Sequence, residues 1–240
     1  MGLPQLIKKT RADVVVVNGE NAADGLGINA EQVRQFLALG VQVITTGNHV
    51  WHQEDVYPLL ESEPRLLRPA NYPPQAPGTG SVVYEAGHAK IAVVNLQGRM
   101  QMAPIDCPFR TGLALVEKLK RQTPLVIVDF HAESCEEKEA LGFHLDGKAS
   151  VVFGTHTHVQ TSDEKILPNG TAYITDVGMT GPLDSVIGSQ PAIAIERQLT
   201  QLPLRNEIAD TPSYVQGVVC VIDARTGKAL SITRISEPFG

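Results

Sequence analysis

The stretch Val151-Val152-Phe153-Gly154-Thr155-His156-Thr157-His158 decides the fold that the sequence predicts. A short apolar run indicates a buried strand, and two histidines, His156 and His158, follow it two residues apart. Because side chains at i and i+2 lie on one face of a strand, we expect both imidazoles on the same side of the strand end. Such a pair can hold one divalent metal ion or one each, whereas an isolated His-x-His is more often a solvent-facing loop.

Three other strand-like runs end in side chains of the same kind. Val14–Val17 precedes Asn18-Gly19-Glu20-Asn21, Val43–Thr46 precedes Gly47-Asn48-His49, and Leu125–Val128 precedes Asp129-Phe130-His131. Because ligands of open α/β sheets bind at the carboxyl ends of the strands, we expect these side chains to meet at one edge. The sequence therefore predicts one metal site across one sheet, with six candidate ligands: Glu20, Asn21, Asn48, His131, His156 and His158.

The bulk composition suits one α/β domain. The chain has 240 residues, 42% of them hydrophobic, and strand-like runs alternate with helical patterns along its length. We therefore expect residues 1–240 to form a single domain. The net charge of −6 and the lack of a dense Lys/Arg run argue against stable binding of duplex nucleic acid, but a small phosphate ester could still bind through metal ions.

Cysteine content and hydropathy indicate the cellular compartment in which the protein is expected. Cys107, Cys135 and Cys220 are far apart in the sequence and form no CxxC pair, which favours a reduced, cytoplasmic environment. No apolar run approaches the length of a membrane span, so no membrane association is predicted.

Two residues near the predicted strand ends have expected supporting roles. Gly47 is expected to let the backbone turn sharply, so that Asn48 and His49 point into a cleft. Asp129 shares a strand face with His131 and is expected to orient a neighbouring loop or ligand.

Other segments are expected to be structural or solvated. Ser81–Glu85 and Lys90–Asn95 predict a β-hairpin with His88 in solvent at its tip, and Gly98–Thr111 predicts a long loop. Ala132–Leu141 predicts a helix whose four glutamates form a solvated acidic face: Glu133, Glu136, Glu137 and Glu139.

The candidate ligands form a mixed set of one carboxylate, two amides and three imidazoles. A structural zinc site would favour cysteines, whereas this set suits a Lewis-acidic centre with positions open for water and substrate. Glu20 could bridge two metal ions, and two ions about 3.5–4 Å apart form the clamp used for in-line attack on phosphorus. A bridging hydroxide would then be the nucleophile, with Asn48 as a ligand and His49 as the general acid that protonates the leaving alkoxide.

The motifs that carry these ligands resemble those of the calcineurin-like metallophosphoesterase superfamily. They are Asn-Gly-Glu-Asn at 18–21, Gly-Asn-His at 47–49, Phe-His at 130–131 and Gly-Thr-His-Thr-His at 154–158. The chain is similar in particular to the YmdB-like branch of bacterial phosphodiesterases. That likeness includes Glu20 in place of the more usual aspartate, Arg-Pro-Ala-Asn at 68–71, Pro-Phe-Arg-Thr at 108–111, and the motif positions between Thr175 and Gly188.

The resemblance covers nearly the whole chain and implies specific properties. It implies a four-layer α/β/β/α sandwich, a two-metal site that commonly holds iron or manganese, phosphodiesterase activity on 2′,3′-cyclic nucleotides, and a homo-oligomer. It also implies roles for the ligands. Glu20 bridges the metals, Asn21 and His158 belong to the first metal, and His49 is the proton donor. The second metal takes Asn48, His131 and His156.

The sequence differs from the family pattern at the start of the chain. The family opens with a strand ending in Asp-x-x-Gly, whose aspartate ligates the first metal, and this sequence shows no such strand. Asp13 precedes a strand rather than ending one, so it is a poor substitute. We therefore expect the first strand to be lacking, because Met1 is an internal start or because this version is truncated.

Two other classes of protein compete with this interpretation. An amidohydrolase also uses His-x-His, but on the first strand of a barrel rather than on a late strand. A non-enzymatic scaffold could retain the fold and bind a nucleotide or a partner protein. A serine hydrolase is disfavoured because no Gly-x-Ser-x-Gly is present, and a dinucleotide-binding enzyme because residues 18–27 contain no G-x-G-x-x-G.

Overall fold

The computed structural model of the protein describes residues 2–87 and 89–239, so His88 and its predicted solvation lie outside the described residues. Helices and strands alternate along the chain. The helices are α1 (Leu3–Thr10), α2 (Ala30–Ala38), α3 (Tyr57–Ser62), α4 (Pro108–Leu119), α5 (Cys135–His144) and α6 (Pro191–Thr200), with a 3₁₀ turn at Glu54–Val56 before α3. Among these helices, none combines the length and the apolar character that crossing a membrane requires.

Eleven strands are present in the described part of the chain. They are β1 (Val16–Asn18), β2 (Val43–Thr45), β3 (Ser81–Ala86), β4 (Ala89–Gln97), β5 (Leu125–His131), β6 (Val151–Thr155), β7 (Lys165–Ile166), β8 (Ala172–Ile174), β9 (Thr180–Pro182), β10 (Ser213–Ile222) and β11 (Ala229–Phe239).

The strands form three hydrogen-bonded sheets. The largest has the order β3-β4-β5-β6-β8-β7, in which β4, β5, β6 and β8 are parallel and the two edge strands are antiparallel to their neighbours. Strands β1 and β2 form a parallel pair, and β9, β10 and β11 form an antiparallel sheet. The predicted α/β class is confirmed.

Helices α4 and α5 cover one face of the six-stranded sheet. Successive side chains of a strand point to opposite faces, so alternate residues of β5 share this side. Val126, Val128 and Phe130 of β5 are buried there in one cluster with Val116 of α4 and Leu141 of α5. The valine-rich sequence of β5 is typical of a parallel strand buried on both faces.

The other face of the same sheet packs against the two smaller sheets. Ile127 of β5 and Val93 of β4 lie in a cluster with Val43 of β2. Farther along the sheet, Phe153 of β6 packs in a cluster with Val218 of β10. The parallel pair β1–β2 is thereby held beside the central strands of the large sheet.

A fourth cluster joins the β1–β2 pair to two helices. Ile44 of β2 is buried together with Val33 of α2 and Leu60 of α3. Helix α2 begins at the predicted N-cap: the Asn29 side chain accepts from the backbone N–H of Gln32, and the Gln32 side chain accepts from the backbone N–H of Asn29.

Two segments differ from the prediction for reasons visible in the sequence. Helix α4 begins at Pro108, inside the predicted loop 98–111, because proline is favoured in the first turn of a helix, where no backbone N–H is needed. Strand β5 continues to His131 and does not end at Val128, since Asp129 and His131 both keep their register with β4 and β6.

Candidate metal centre

The carboxyl ends of two parallel strand pairs meet at the candidate site. Asn18 of β1 pairs in register with Thr45 of β2, and His131 of β5 pairs with Thr155 of β6. The polar side chains at and after these strand ends come together as predicted, but the two pairs belong to two sheets, so the prediction of a single sheet was wrong. A cavity of about 300 Å³ opens there and is lined by Glu20, Asn21, His49, Glu133, His156, Thr157, His158 and Ile187.

Three groups converge on a single nitrogen of His131. Its Nε2 atom lies 2.8 Å from Oε2 of Glu20, 3.1 Å from Oδ1 of Asn48 and 3.0 Å from Nδ1 of His156. One N–H could satisfy only one of these contacts. Ligand atoms of Glu20, His131 and His156 all lie within 4.8 Å of one another, and the three residues form a group that could hold a metal ion.

The second ring nitrogen of His131 is held by a hydroxyl group. Nδ1 lies 2.9 Å from Oγ1 of Thr155, whose own hydroxyl donates to Oδ1 of Asp129 at 2.8 Å. Because a hydroxyl has one hydrogen, Nδ1 must carry the proton of the His131–Thr155 bond. Nε2 is then the ring nitrogen that faces the other ligands, which is the usual arrangement of a metal-binding histidine.

Asp129 is the acceptor at the end of this hydrogen-bond chain. It is fully buried, and its Oδ2 atom accepts from the Thr45 hydroxyl and from Nδ2 of Asn18 at 3.0 Å. Burial raises the pKa of Asp129, while the hydrogen bonds from Thr45, Asn18 and Thr155 act in the opposite direction. The predicted supporting role of Asp129 agrees with these contacts: it orients Thr155, which in turn orients His131.

The Glu20 side chain is ionised although only 2% of it is exposed. Burial by itself would raise its pKa, but His131 and the backbone N–H of His49 outweigh burial and lower the pKa to about 2. Its Oε1 atom accepts from that backbone N–H at 3.0 Å. Glu20 therefore brings a fixed negative charge into the group of converging atoms.

His156 is held in its neutral form. Burial, with a further contribution from nearby His131, lowers the pKa of His156 to about 4. Its Nδ1 atom faces His131, and its Nε2 atom lies 3.0 Å from Oε2 of Glu133. A carboxylate that accepts from the outer nitrogen of a histidine is typical of metal sites, because it orients the ring and strengthens the inner nitrogen as a ligand.

This donor set fits a metal cation. A carboxylate, an amide oxygen and two imidazole nitrogens face one another, and a shared cation would satisfy all four groups at once. Gly47 supports the same interpretation, because an added Cβ would overlap Nε2 of His131 and Oε1 of Glu20. The predicted turn is present, because the backbone N–H of Val50 donates to the Gly47 carbonyl at 3.3 Å, although Gly47 is not among the glycines with positive φ. Gly47 therefore both begins a turn and leaves space for the ligands.

Three of the seven predicted residues, Asn21, His49 and His158, form a second group beside the first. Nδ2 of Asn21 lies 2.9 Å from Nε2 of His158, and Oδ1 of Asn21 lies 2.8 Å from Nδ1 of His49. The latter nitrogen is 3.8 Å from Oε1 of Glu20, which links the two groups. The structure thus brings all seven predicted residues to one site.

The geometry of the His-x-His motif differs from the prediction. Strand β6 ends at Thr155, and His156 and His158 lie in the following loop with φ angles of 100° and 65°. Positive φ is uncommon for residues other than glycine, so the two histidines do not share a strand face. The turn instead sends His156 toward His131 and His158 toward Asn21.

A buried ion pair holds this turn in place. Nζ of Lys138 lies 2.8 Å from Oδ2 of Asp176, and the two side chains are 1% and 0% exposed. The same carboxylate accepts from the backbone N–H of Thr157 at 3.1 Å and from its hydroxyl at 2.7 Å. Thr157 stands between the two histidines, so Asp176 fixes the spacer of the motif.

The predicted solvated acidic face was wrong at one of its four positions. Glu136 and Glu139 are exposed on α5, and Glu133, which lies just before this helix, keeps a side chain that is 43% exposed while it contacts His156. Glu137, however, is only 5% exposed. Glu137 accepts from the backbone N–H groups of Arg99 and Met100, at 3.1 and 3.2 Å, and so anchors the loop after β4. The position of Glu133, two residues beyond His131, was the signal that could have indicated its contact with the site.

Comparisons with known proteins agree with a metal-binding α/β protein of this kind. The sequence profile of the YmdB-like protein family matches residues 1–235, and the chain belongs to this family. It is 44% identical over 233 residues to a 2′,3′-cyclic-nucleotide 2′-phosphodiesterase of Bacillus subtilis (strain 168), an alignment that covers 97% of this chain and 88% of that protein.

Two solved structures share the fold. A hypothetical protein from Thermus thermophilus has a TM-score of 0.91 and 41% identity, with 98% of this chain and 91% of that chain covered. A phosphatase from Mycoplasma pneumoniae has a TM-score of 0.90 and 38% identity, with 99% and 87% covered. The resemblance inferred from the motifs is therefore confirmed at the level of the family.

Proposed function

We propose that this protein is a metal-dependent phosphodiesterase that hydrolyses 2′,3′-cyclic nucleotides. The observation that carries the proposal is the convergence of Glu20, Asn48 and His156 on Nε2 of His131, at 2.8, 3.1 and 3.0 Å. A site of nitrogen and oxygen ligands beside an open cavity suits hydrolysis of a phosphate ester. The Bacillus subtilis relative, named for this reaction, supports the same substrate class.

The ligand assignment belongs to the proposal. Asn48, His131 and His156 would hold one metal ion, Asn21 and His158 would hold another, and Glu20 would bridge them. Bound metal ions would supply Lewis-acid activation of water and stabilise the charge on the phosphoryl oxygens. Iron and manganese are proposed on the family resemblance, because the mixed imidazole, amide and carboxylate set by itself accepts several transition metals.

His49 is proposed as the general acid. Its Nδ1 atom donates to Oδ1 of Asn21 at 2.8 Å, and its backbone N–H donates to Glu20, so the ring is positioned from two sides. Burial lowers the pKa of His49, and the nearby Glu20 charge acts in the opposite direction. A proton on Nε2 would pass to the leaving alkoxide, while Nδ1 keeps its bond to Asn21.

Several further properties are proposed on the family resemblance. Residues 1–240 form one metallophosphoesterase domain with a four-layer α/β/β/α arrangement. The protein is a cytoplasmic homo-oligomer, and its substrate is a small phosphodiester, with no role for stable duplex nucleic acid.

The test uses the full chain loaded with Mn²⁺. We expect the protein to bind about two metal ions per chain, by elemental analysis, and to convert 2′,3′-cyclic AMP to a nucleoside monophosphate, by chromatography. The His49→Ala variant should lose about 10²- to 10⁴-fold in kcat and retain its metal, because the general acid acts in the chemical step.

His144→Ala is the matched control. His144 lies at the end of α5, where its ring packs against Phe109, and its replacement should leave kcat and metal content unchanged. A metal-loaded protein that hydrolyses no phosphodiester would contradict the proposed function. Equal activity of the His49→Ala and His144→Ala variants would contradict only the role of His49.

A further inference from the structure

A tight turn next to the metal centre has an unusual residue at its tip. The backbone groups of Val186 and Ser189 exchange two hydrogen bonds of 2.9 Å, and Ile187 and Gly188 between them have φ angles of 46° and 94°. Two successive positive φ values define a type I′ turn, whose first central position is normally asparagine, aspartate or glycine. A β-branched residue is strongly disfavoured there, and such outliers concentrate at functional sites.

Ile187 stands between two cavities. It lines the cavity of about 300 Å³ that contains Glu20 and His156. It also lines a second cavity, of about 400 Å³, which lies between this turn and helix α6. The two cavities therefore adjoin at this single side chain.

The walls of the second cavity combine apolar and polar groups. Val186 from the turn and Ile195 and Leu199 from α6 contribute apolar side chains that are 43%, 56% and 81% exposed. Ser189 and Gln198 contribute groups that can donate and accept hydrogen bonds, and Arg197 lines the same cavity with its guanidinium bonded to Oδ1 of Asn206. No residue of α6 is buried in the described structure, and contiguous exposed apolar surface of this kind usually marks a binding site.

We propose that this second cavity binds the nucleobase of the substrate, with Ile187 as the contact that separates the base from the phosphate. This inference rests on the proposed function, and it identifies the part of the site that selects nucleotides over other phosphodiesters. A nucleobase has apolar faces and polar edges, which match aliphatic walls interrupted by hydroxyl and amide groups. The ribose spans the boundary at Ile187, so the phosphate remains at the metal centre.

The experiment compares ligands with and without a base. The kcat/KM values of the Mn²⁺-loaded protein are measured for 2′,3′-cyclic AMP and for ribose 2′,3′-cyclic phosphate. Binding of adenosine 3′-monophosphate and of ribose 3-phosphate is measured by calorimetry. The wild-type protein should prefer the adenosine compound in both measurements.

The Ile187→Asn variant tests the turn directly. Asparagine suits positive φ, so the turn is retained while its apolar contact is removed. We expect the preference for the adenosine compound to fall about tenfold in kcat/KM and in Kd. Ile195→Gln, on the opposite wall, should reduce the same preference. Leu230→Asn, an exposed position on β11 that is 62% exposed, is the control and should leave the preference unchanged.

Three outcomes overturn the inference: no preference for the adenosine compound in the wild-type protein, an unchanged preference in Ile187→Asn, or occupation of the cavity by a second copy of the chain. The last would appear as an oligomer, by sedimentation velocity, that dissociates in Ile195→Gln while the preference is unchanged. If the wild-type protein hydrolyses neither diester, the proposed function fails, and the calorimetric preference alone decides whether this cavity binds the base.

Discussion

Thr155 donates its hydroxyl hydrogen to Asp129, with 2.8 Å between Oγ1 and Oδ1, across the boundary of β5 and β6. This one bond requires Nδ1 of His131 to carry a proton, because the hydroxyl oxygen is left only as an acceptor. A buried carboxylate thus acts on the metal centre without touching it.

The first prediction concerns this hydroxyl. Thr155→Val keeps the shape of the side chain but leaves the Nδ1–H group of His131 and Oδ1 of Asp129 without their partner. We expect metal affinity to fall about 10- to 100-fold, because the ring loses its orientation. Competition with a chromophoric chelator measures the affinity. Thr233→Val, at an exposed position of β11, is the control, and equal affinities of the two variants would refute the positioning role.

The second prediction concerns the buried ion pair. Lys138→Met removes one partner and leaves the Asp176 carboxylate buried without its counter-charge. We expect the free energy of unfolding to fall by about 3–5 kcal/mol, measured by urea denaturation of the metal-free protein. The exposed pair of Lys165 and Glu139, at 2.6 Å, gives the comparison. Lys165→Met should cost less than about 1 kcal/mol, and a similar loss in both variants would contradict the argument.

The third prediction concerns a glutamate that the sequence pattern predicts to be solvated. Glu137→Ala leaves the backbone N–H groups of Arg99 and Met100 without an acceptor. We expect a loss of about 1–3 kcal/mol in the free energy of unfolding. The neighbouring Glu136 is exposed on the same helix, so Glu136→Ala should change stability by less than about 0.5 kcal/mol. Indistinguishable denaturation curves for the two variants would show that the Glu137 contacts contribute nothing.

The fourth prediction concerns thiol reactivity. Cys107 precedes α4; its burial acts to raise the thiol pKa, but the backbone N–H groups of Arg110 and Phe109 outweigh it and lower the pKa below its ordinary value. Burial raises the pKa of Cys220 to about 12. A lowered pKa gives more thiolate at neutral pH, so iodoacetamide at a pH of about 7.5 should modify Cys107 well before Cys220. Peptide mass spectrometry follows both sites, and faster modification of Cys220 would contradict the assignment.

The strand ends were predictable because they depend on short-range signals. Apolar runs followed by Glu20, Asn48 and His131 indicated parallel strands, and parallel strands bring such residues to one edge. The register between β5 and β6 was not predictable, since it depends on long-range pairing. The contact of Asp129 with Thr155 follows from that register and therefore needed the structure.

The local geometry of His156 and His158 could not be predicted from the sequence either. A period of two favours one strand face, but the loop adopts positive φ at both residues. What maintains this conformation is Asp176, far along the chain. Likewise, the helical pattern of α5 placed Glu137 on a polar face, while the loop after β4 buries it. In both cases tertiary contacts override a local pattern.

The bonds of Asp176 also limit how this centre could be engineered. A protein designer who copied only Thr155–His158 onto another sheet would transfer two non-glycine residues with positive φ, each costing of order 1–3 kcal/mol. The host would relax that loop unless it received the carboxylate that binds Thr157 and the lysine that neutralises this carboxylate. The transplantable unit is therefore this short segment together with Lys138 and Asp176, taken from three separate parts of the chain.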